Sequence, residues 1–233
     1  MNRCQLNSQQ LEGYQRMFAE ARARLPFCAI YLDENYSRVE FQTKALLEIQ
    51  STCETGKKLA IVLPPKHGKS RLIVEAISWL IGKDPTKTIT LAGDFEYGGK
   101  DISVIRTSQT VRERLSGSSR FGVLFSARLH DKERKAVRWR TTAGGGLNVI
   151  KVGHQASPAD HLFVDDPIPT FGSGQLASNR ETVWNWFRSI CVTGLKPGGS
   201  VVVVGSRTNW DDVFGRIERS GEEWKIYKRK AIE

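Results

Sequence analysis

The chain has 233 residues, 39% of them hydrophobic and 26% charged, and its 35 Lys+Arg against 25 Asp+Glu leave a net charge of +10. That length can bury a core as one large domain or two small ones. No apolar run reaches the roughly 18 residues of a membrane span, and the opening MNRCQLNSQQ lacks the apolar stretch of a signal peptide.

Tyr14, Met17, Phe18, Ala21 and Leu25 recur at helical spacing, which predicts an amphipathic helix over residues 6–25 ended by Pro26. A second helix is expected over 39–52, with Phe41, Ala45 and Ile49 on one face. Strand 59–63 runs into Pro-Pro-Lys-His-Gly-Lys-Ser, and a helix over 69–81 turns Ile73, Ala76, Ile77, Leu80 and Ile81 to the core. TKTITLAG (86–93) reads as a short strand. Residues 100–116 alternate basic and apolar at helical spacing. Short strands follow around 136–141 and 147–152, joined by TAGGG, and HLFVDDP (161–167) is a buried strand ending in carboxylates. SNRETVWNWFRSICVTGL reads as a helix with Trp184, Phe187 and Cys191 inward. GGSVVVVGSR is too apolar to be wet on either face, which implies a covered parallel sheet. A helix over 211–219 and a strand over 224–228 complete an alternating α/β pattern. The expected organisation is a helical segment over 1–38 and a main domain over 39–233.

The basic excess suits a polyanionic partner, nucleic acid above all, or belongs to a merely basic cytosolic protein. Cys4, Cys28, Cys53 and Cys191 are scattered, with no C-x-x-C pair, and the four histidines form no H-x-x-x-H pattern. Reduced thiols in a cytosolic protein are therefore expected, and a zinc-type centre is not.

Residues 64–70 raise the question of phosphate binding. A phosphate needs inward backbone N–H groups, a helix N-terminus and a lysine reaching its oxygens. Gly68-Lys69-Ser70 at a helix start supplies these, with the Ser70 hydroxyl placed for Mg²⁺. Leu63 stands where G-x-x-x-x-G-K-S/T has its first glycine, and Pro64-Pro65 can stiffen the turn instead. The alternative is a chance strand–turn–helix. Asp165, at the end of an apolar strand, is placed to hold Mg²⁺, with Asp166 beside it to orient or deprotonate water. The alternative there is an acidic turn before proline. Ser206, ending the valine strand, is placed to sense a γ-phosphate. Arg207, Asn209, Asp211 and Asp212 follow at the sheet edge where α/β proteins bind ligands, although Asp211 or Asp212 can equally cap the next helix.

Taken in order, PPKHGKS, RWRTTAGGG, LFVDDP, VWNWFRSICVTGLKPGGSVVVV and SRTNWDDVFGRI resemble the ATPase domain of phage terminase large subunits over about residues 39–230. In that family the loop commonly reads PPRHGKS and the late motif roughly T-R-W-H-x-D-D-x-x-G-R. The resemblance implies a P-loop NTPase of the additional-strand, RecA-like type, with a mostly parallel twisted sheet and helices on both faces. It implies an ATP site at Pro65, Lys66, His67, Gly68, Lys69 and Ser70, with Lys69 and Asp166 catalytic and Mg²⁺ on Ser70 and Asp165. Ser206, with Arg207 after it, would stand where the family couples hydrolysis to movement. Gln42 would read adenine, or is simply a solvated helix position. The partners so implied are double-stranded DNA, a portal protein, a terminase small subunit and further copies in a ring, in the host cytoplasm and away from membranes.

Three departures stand out. Lys66 replaces the loop arginine and loses its planar fork. Thr208 and Asn209 replace Trp and His in the late motif. GHQASPADH (153–161) carries no arginine where the family often has Gly-Arg-Gly-Ala-Asp, which leaves Arg106, Arg112, Arg114, Arg138 and Arg140 as candidate fingers. The family's chain continues into a nuclease domain, for which nothing after Ala231 leaves room, so a motor domain alone is expected, either cut from a longer protein or naturally split. Two other readings compete: a helicase-like nucleic-acid-dependent ATPase, and a nucleotide-binding scaffold with little turnover.

Overall fold

The computed structural model describes residues 8–33, 36, 39–94, 103–167 and 177–229. Its centre follows from the two most apolar strands, β1 (Lys58–Val62) and β7 (Leu195–Gly205), which pair in parallel. Their side chains divide between two cores. Leu59, Ile61, Val202 and Val204 face one, while Ala60, Val62, Val201 and Val203 face the other. Burial on both faces is why these runs are continuously apolar rather than alternating.

The first core is covered by α1 (Ser8–Ala23), α2 (Leu25–Leu32), α3 (Glu40–Thr55), α4 (Lys69–Lys83), α5 (Ser103–Gly117) and α6 (Ser119–Leu124). The second is covered by α7 (Ala177–Thr193) and α8 (Val213–Arg219). The remaining strands are β2 (Thr88–Gly93), β3 (Leu129–Lys135), β4 (Arg138–Thr141), β5 (Gly146–Lys151), β6 (Ala159–Asp165) and β8 (Lys225–Lys228). The eight-stranded sheet has the order β3-β4-β5-β2-β6-β7-β1-β8. Every pair is parallel except the antiparallel β3–β4 and β4–β5. The parallel strands therefore end along one edge, and β1, β6 and β7 deliver their C-terminal residues there side by side.

Several expectations need correction. The helix expected over 6–25 is two helices. Arg24 breaks the first with an extended backbone, and Pro26 lies in the first turn of α2 rather than after a helix end. A proline costs nothing there, since the first N–H groups of a helix have no partner anyway. Of the expected stripe, Ala21 and Leu25 are buried but Tyr14 and Met17 are more than 40% exposed. β3 and α6 are not foreseen at all. β3 buries only Leu129, so an edge strand of charged residues offers no alternation to read. On α7, Phe187 and Ile190 are buried, whereas Trp184 and Cys191 are only partly so. The first residues of the helix expected over 100–116 lie outside the described residues. No helix among the described residues is long and apolar enough to cross a membrane. Cys28, Cys53 and Cys191 are free thiols.

Candidate functional site

The loop between β1 and α4 has the backbone that anion binding calls for. Lys66 and Gly68 both take left-handed conformations, with φ 63° and 78°. The positive φ is what calls for glycine at 68, and the Gln42 amide lies close over it, 2.8 Å from where a Cβ would stand. Gln42 leans on the loop, its amide 3.4 Å from His67 O, and the His67 ring is held by Pro65 O and packs against Phe41. α4 starts immediately after Gly68, so its unpaired N–H groups and positive dipole end face the loop.

Strand register brings the other candidates to this helix start. Val62 is level with Gly205 and Asp165 with Val204, and the ladder continues through Leu63 N–H to Gly205 O and Asp166 N–H to Val204 O. Lys69 Nζ donates to Ser206 Oγ at 2.7 Å and lies 3.5 Å from Asp166 Oδ2. The Ser206 hydroxyl donates in turn to Leu63 O at 3.0 Å, and the Ser206 N–H donates to Asp166 Oδ1 at 2.9 Å. Asp166 reaches that N–H from a positive φ of 42°, across Gly205, where a Cβ would sit 2.8 Å from its oxygen. Lys69, Asp166 and Ser206 thus form one connected group.

Ser70 belongs to a second group. Its hydroxyl donates to Asp165 Oδ2 at 3.0 Å. Asp165 is 4% exposed, and its carboxyl is pushed up to about 6, first by burial and then by the neighbouring Asp166 charge. An oxygen pair of this kind fits Mg²⁺, which takes oxygen ligands and commonly one or two carboxylates plus the phosphates of its substrate. Among the described residues no cluster of three or more His, Cys, Asp or Glu side chains forms a metal cage, so a cation here would draw on hydroxyl and ligand oxygens.

The raised carboxyl predicts a stability effect. Because the folded group binds its proton more tightly than the unfolded one, its ionised form works against the fold above about pH 6, and the penalty is relieved as pH falls through 6. Asp165→Asn removes that charge. Without divalent cations the variant should be more stable than the parent at pH 7.5, by up to about 3 kcal/mol, with the gap closing toward pH 4. Thermal melts of both proteins across that range test it, and a variant less stable than the parent at pH 7.5 would contradict the assignment.

The other expected residues are distributed differently. Arg207 engages Asp212 and Glu218. Asp212 caps α8, accepting from Gly215 N–H while also binding the N–H groups of Thr208 and Asn209. Asp211 is held by Arg216, Arg219 and Arg180. Of the five candidate arginines, Arg114 is committed to a two-pronged pair with the buried Glu75, at 2.7 and 2.8 Å. Arg112 donates to Arg134 O, and Arg138 and Arg140 lie on β4 near Glu133. Arg106 and the Glu75-bound Arg114 both line a cleft of about 530 Å³ that also holds Ser70. The same cleft holds Ser103, Arg71 and Asp33, none of which sequence reasoning singled out. Glu75 was legible in principle, as an acid on the most apolar stretch of α4. A serine at a helix start gives no such signal.

No family model matches the chain, and no curated protein matches it. Among solved structures, the crystal structure of the HK97 bacteriophage large terminase is similar over 91% of this chain, with a TM-score of 0.59 at 9% identity. The likeness is one of fold. It makes this a terminase-like α/β architecture, and the chain spans 44% of the length of that terminase chain.

Proposed function

We propose that this chain is the ATP-hydrolysing motor domain of a viral terminase large subunit, an additional-strand P-loop enzyme that drives double-stranded DNA into a procapsid. The observation that carries the reading is the convergence of Lys69, Ser70, Asp165, Asp166 and Ser206 at the C-terminal edge of three adjacent parallel strands. The terminase-like fold supports it.

In this reading the 64–70 loop binds the triphosphate of ATP, and Gln42, resting on that loop, lies toward the base. Lys69 leaves Ser206 and Asp166 for the phosphate oxygens. Mg²⁺ on Ser70 and Asp165 supplies charge neutralisation of the phosphates. Asp166, freed from Lys69, orients the attacking water and accepts its proton. Ser206 loses its lysine donor when ATP binds, so the occupied state is felt by the 206–212 loop that it begins. Rate enhancement comes from positioning and fixed electrostatics. DNA is gripped through phosphate contacts, as the +10 charge suggests. Portal protein, small subunit and further copies of the chain are the proposed partners, and a neighbouring copy supplies positive charge that 153–161 lacks.

Phosphate release from ATP is the test, with and without duplex DNA and at rising salt. Slow Mg²⁺-dependent turnover is expected, stimulated by DNA of any sequence, with DNA affinity falling steeply as salt rises. ATP binding without phosphate release in any of these conditions would favour a nucleotide-binding scaffold instead.

A further inference from the structure

A third oxygen meets the Ser70–Asp165 pair. Ser103, the first residue of α5, places its Oγ 3.2 Å from Asp165 Oδ2 and 2.8 Å from Ser70 Oγ. With the 3.0 Å Ser70–Asp165 contact, the three oxygens form a nearly equilateral triangle. Mg²⁺ binds six oxygens octahedrally at about 2.0–2.1 Å, so neighbouring ligands stand about 2.9 Å apart. The triangle has the edge lengths of one octahedral face.

We propose that Ser103 is a metal-facing residue of this site, its hydroxyl closing a three-oxygen face with Ser70 and Asp165 for a divalent cation. The inference rests on the nucleotide-site reading above. The three oxygens come from three elements, the starts of α4 and α5 and the end of β6, and the position of Ser103 is set by packing. Its neighbour Val104 is buried over Gly93, where a Cβ would come within 2.3 Å of the valine side chain and 3.1 Å of Asp165 O. Only a glycine at the end of β2 lets the start of α5 come this close to the end of β6. One turn further on, Arg106 lines the same cleft. The first turn of α5 therefore carries a hydroxyl and a guanidinium to the metal side of the site. Without a cation both hydroxyls donate to Asp165 Oδ2, and a cation replaces those bonds with coordination.

The test is titration of the full chain with Mn²⁺, the free ion counted by electron paramagnetic resonance, alone and with a non-hydrolysable ATP analogue. Ser103→Ala should weaken Mn²⁺ by about tenfold or more, and Ser103→Thr should restore the parent affinity. Ser103→Cys should let Cd²⁺ displace Mn²⁺ more readily than Mg²⁺ does, because a sulfur ligand favours the softer ion. Unchanged Mn²⁺ affinity in Ser103→Ala, with a lowered melting temperature, would mean that the hydroxyl serves the helix end alone, and the proposal falls. If Asp165→Asn loses Mn²⁺ while Ser103→Ala does not, the nucleotide-site reading stands and only the Ser103 assignment goes. A parent chain with no saturable Mn²⁺ site overturns both.

Discussion

Lys69→Ala should leave no measurable ATP turnover. No other described lysine stands at the start of α4, and the Lys69 amine is already poised at the sheet edge, 2.7 Å from Ser206 and 3.5 Å from Asp166. The loss should exceed the about 10²–10³-fold that one oxyanion donor contributes, because in the proposed site the same amine would also hold the ground-state phosphates. Binding of a fluorescent ATP analogue should weaken in parallel. The fold should survive, since the lysine pairs with site residues and not with the core. Hydrolysis at the parent rate would move the phosphate site away from residues 64–70.

Asp166→Asn should separate binding from chemistry. The amide keeps an oxygen for the Ser206 N–H but loses the charge that holds Lys69 and the capacity to accept a proton. Nucleotide should bind at least as well as in the parent, because Lys69 is no longer drawn to a carboxylate. Turnover should fall by about 10²–10⁴-fold. Asp165→Asn should show the opposite pattern, with Mg²⁺-dependent binding itself weakened. Binding assays on both variants decide the matter, and the reverse result would exchange the roles of the two carboxylates.

Much of this arrangement is readable from residue order, for a physical reason. β1, β6 and β7 are buried on both faces, so their sequences are unbroken apolar runs, and the first polar residue after each run has to fall at the sheet edge. That places Asp165 and Ser206 without any tertiary information, while Lys69 is marked by the Gly68-Lys69-Ser70 pattern that follows β1. Ser103 follows no such run and is brought in by the packing of Val104 over Gly93, a contact between residues of unremarkable type. The pairing of Arg114 with Glu75 is equally tertiary, and it removes one arginine from the candidate fingers that the sequence leaves open. The hairpin strand β3 escaped because its exterior is charged at nearly every position, as suits a sheet edge that has to avoid pairing with other chains.

The Glu75–Arg114 pair also limits how the molecule can move. Glu75 lies on α4 and is fully buried, and Arg114 lies on α5 with its side chain only 13% exposed. Sliding one helix past the other would strand a charge in the interior, at a cost of about 3–5 kcal/mol. The Glu75–Arg114 pair consequently ties the two helices together, and Ser70 and Ser103 sit side by side at their starts, 2.8 Å apart. Shear between α4 and α5 is a poor way to transmit a mechanical stroke, since it spends that energy on each cycle. In the proposed motor, exchange of partners within Lys69, Ser206 and Asp166 is a softer degree of freedom than that shear, so a stroke should begin as a side-chain swap beside the paired helices and spread outward through the strand ends.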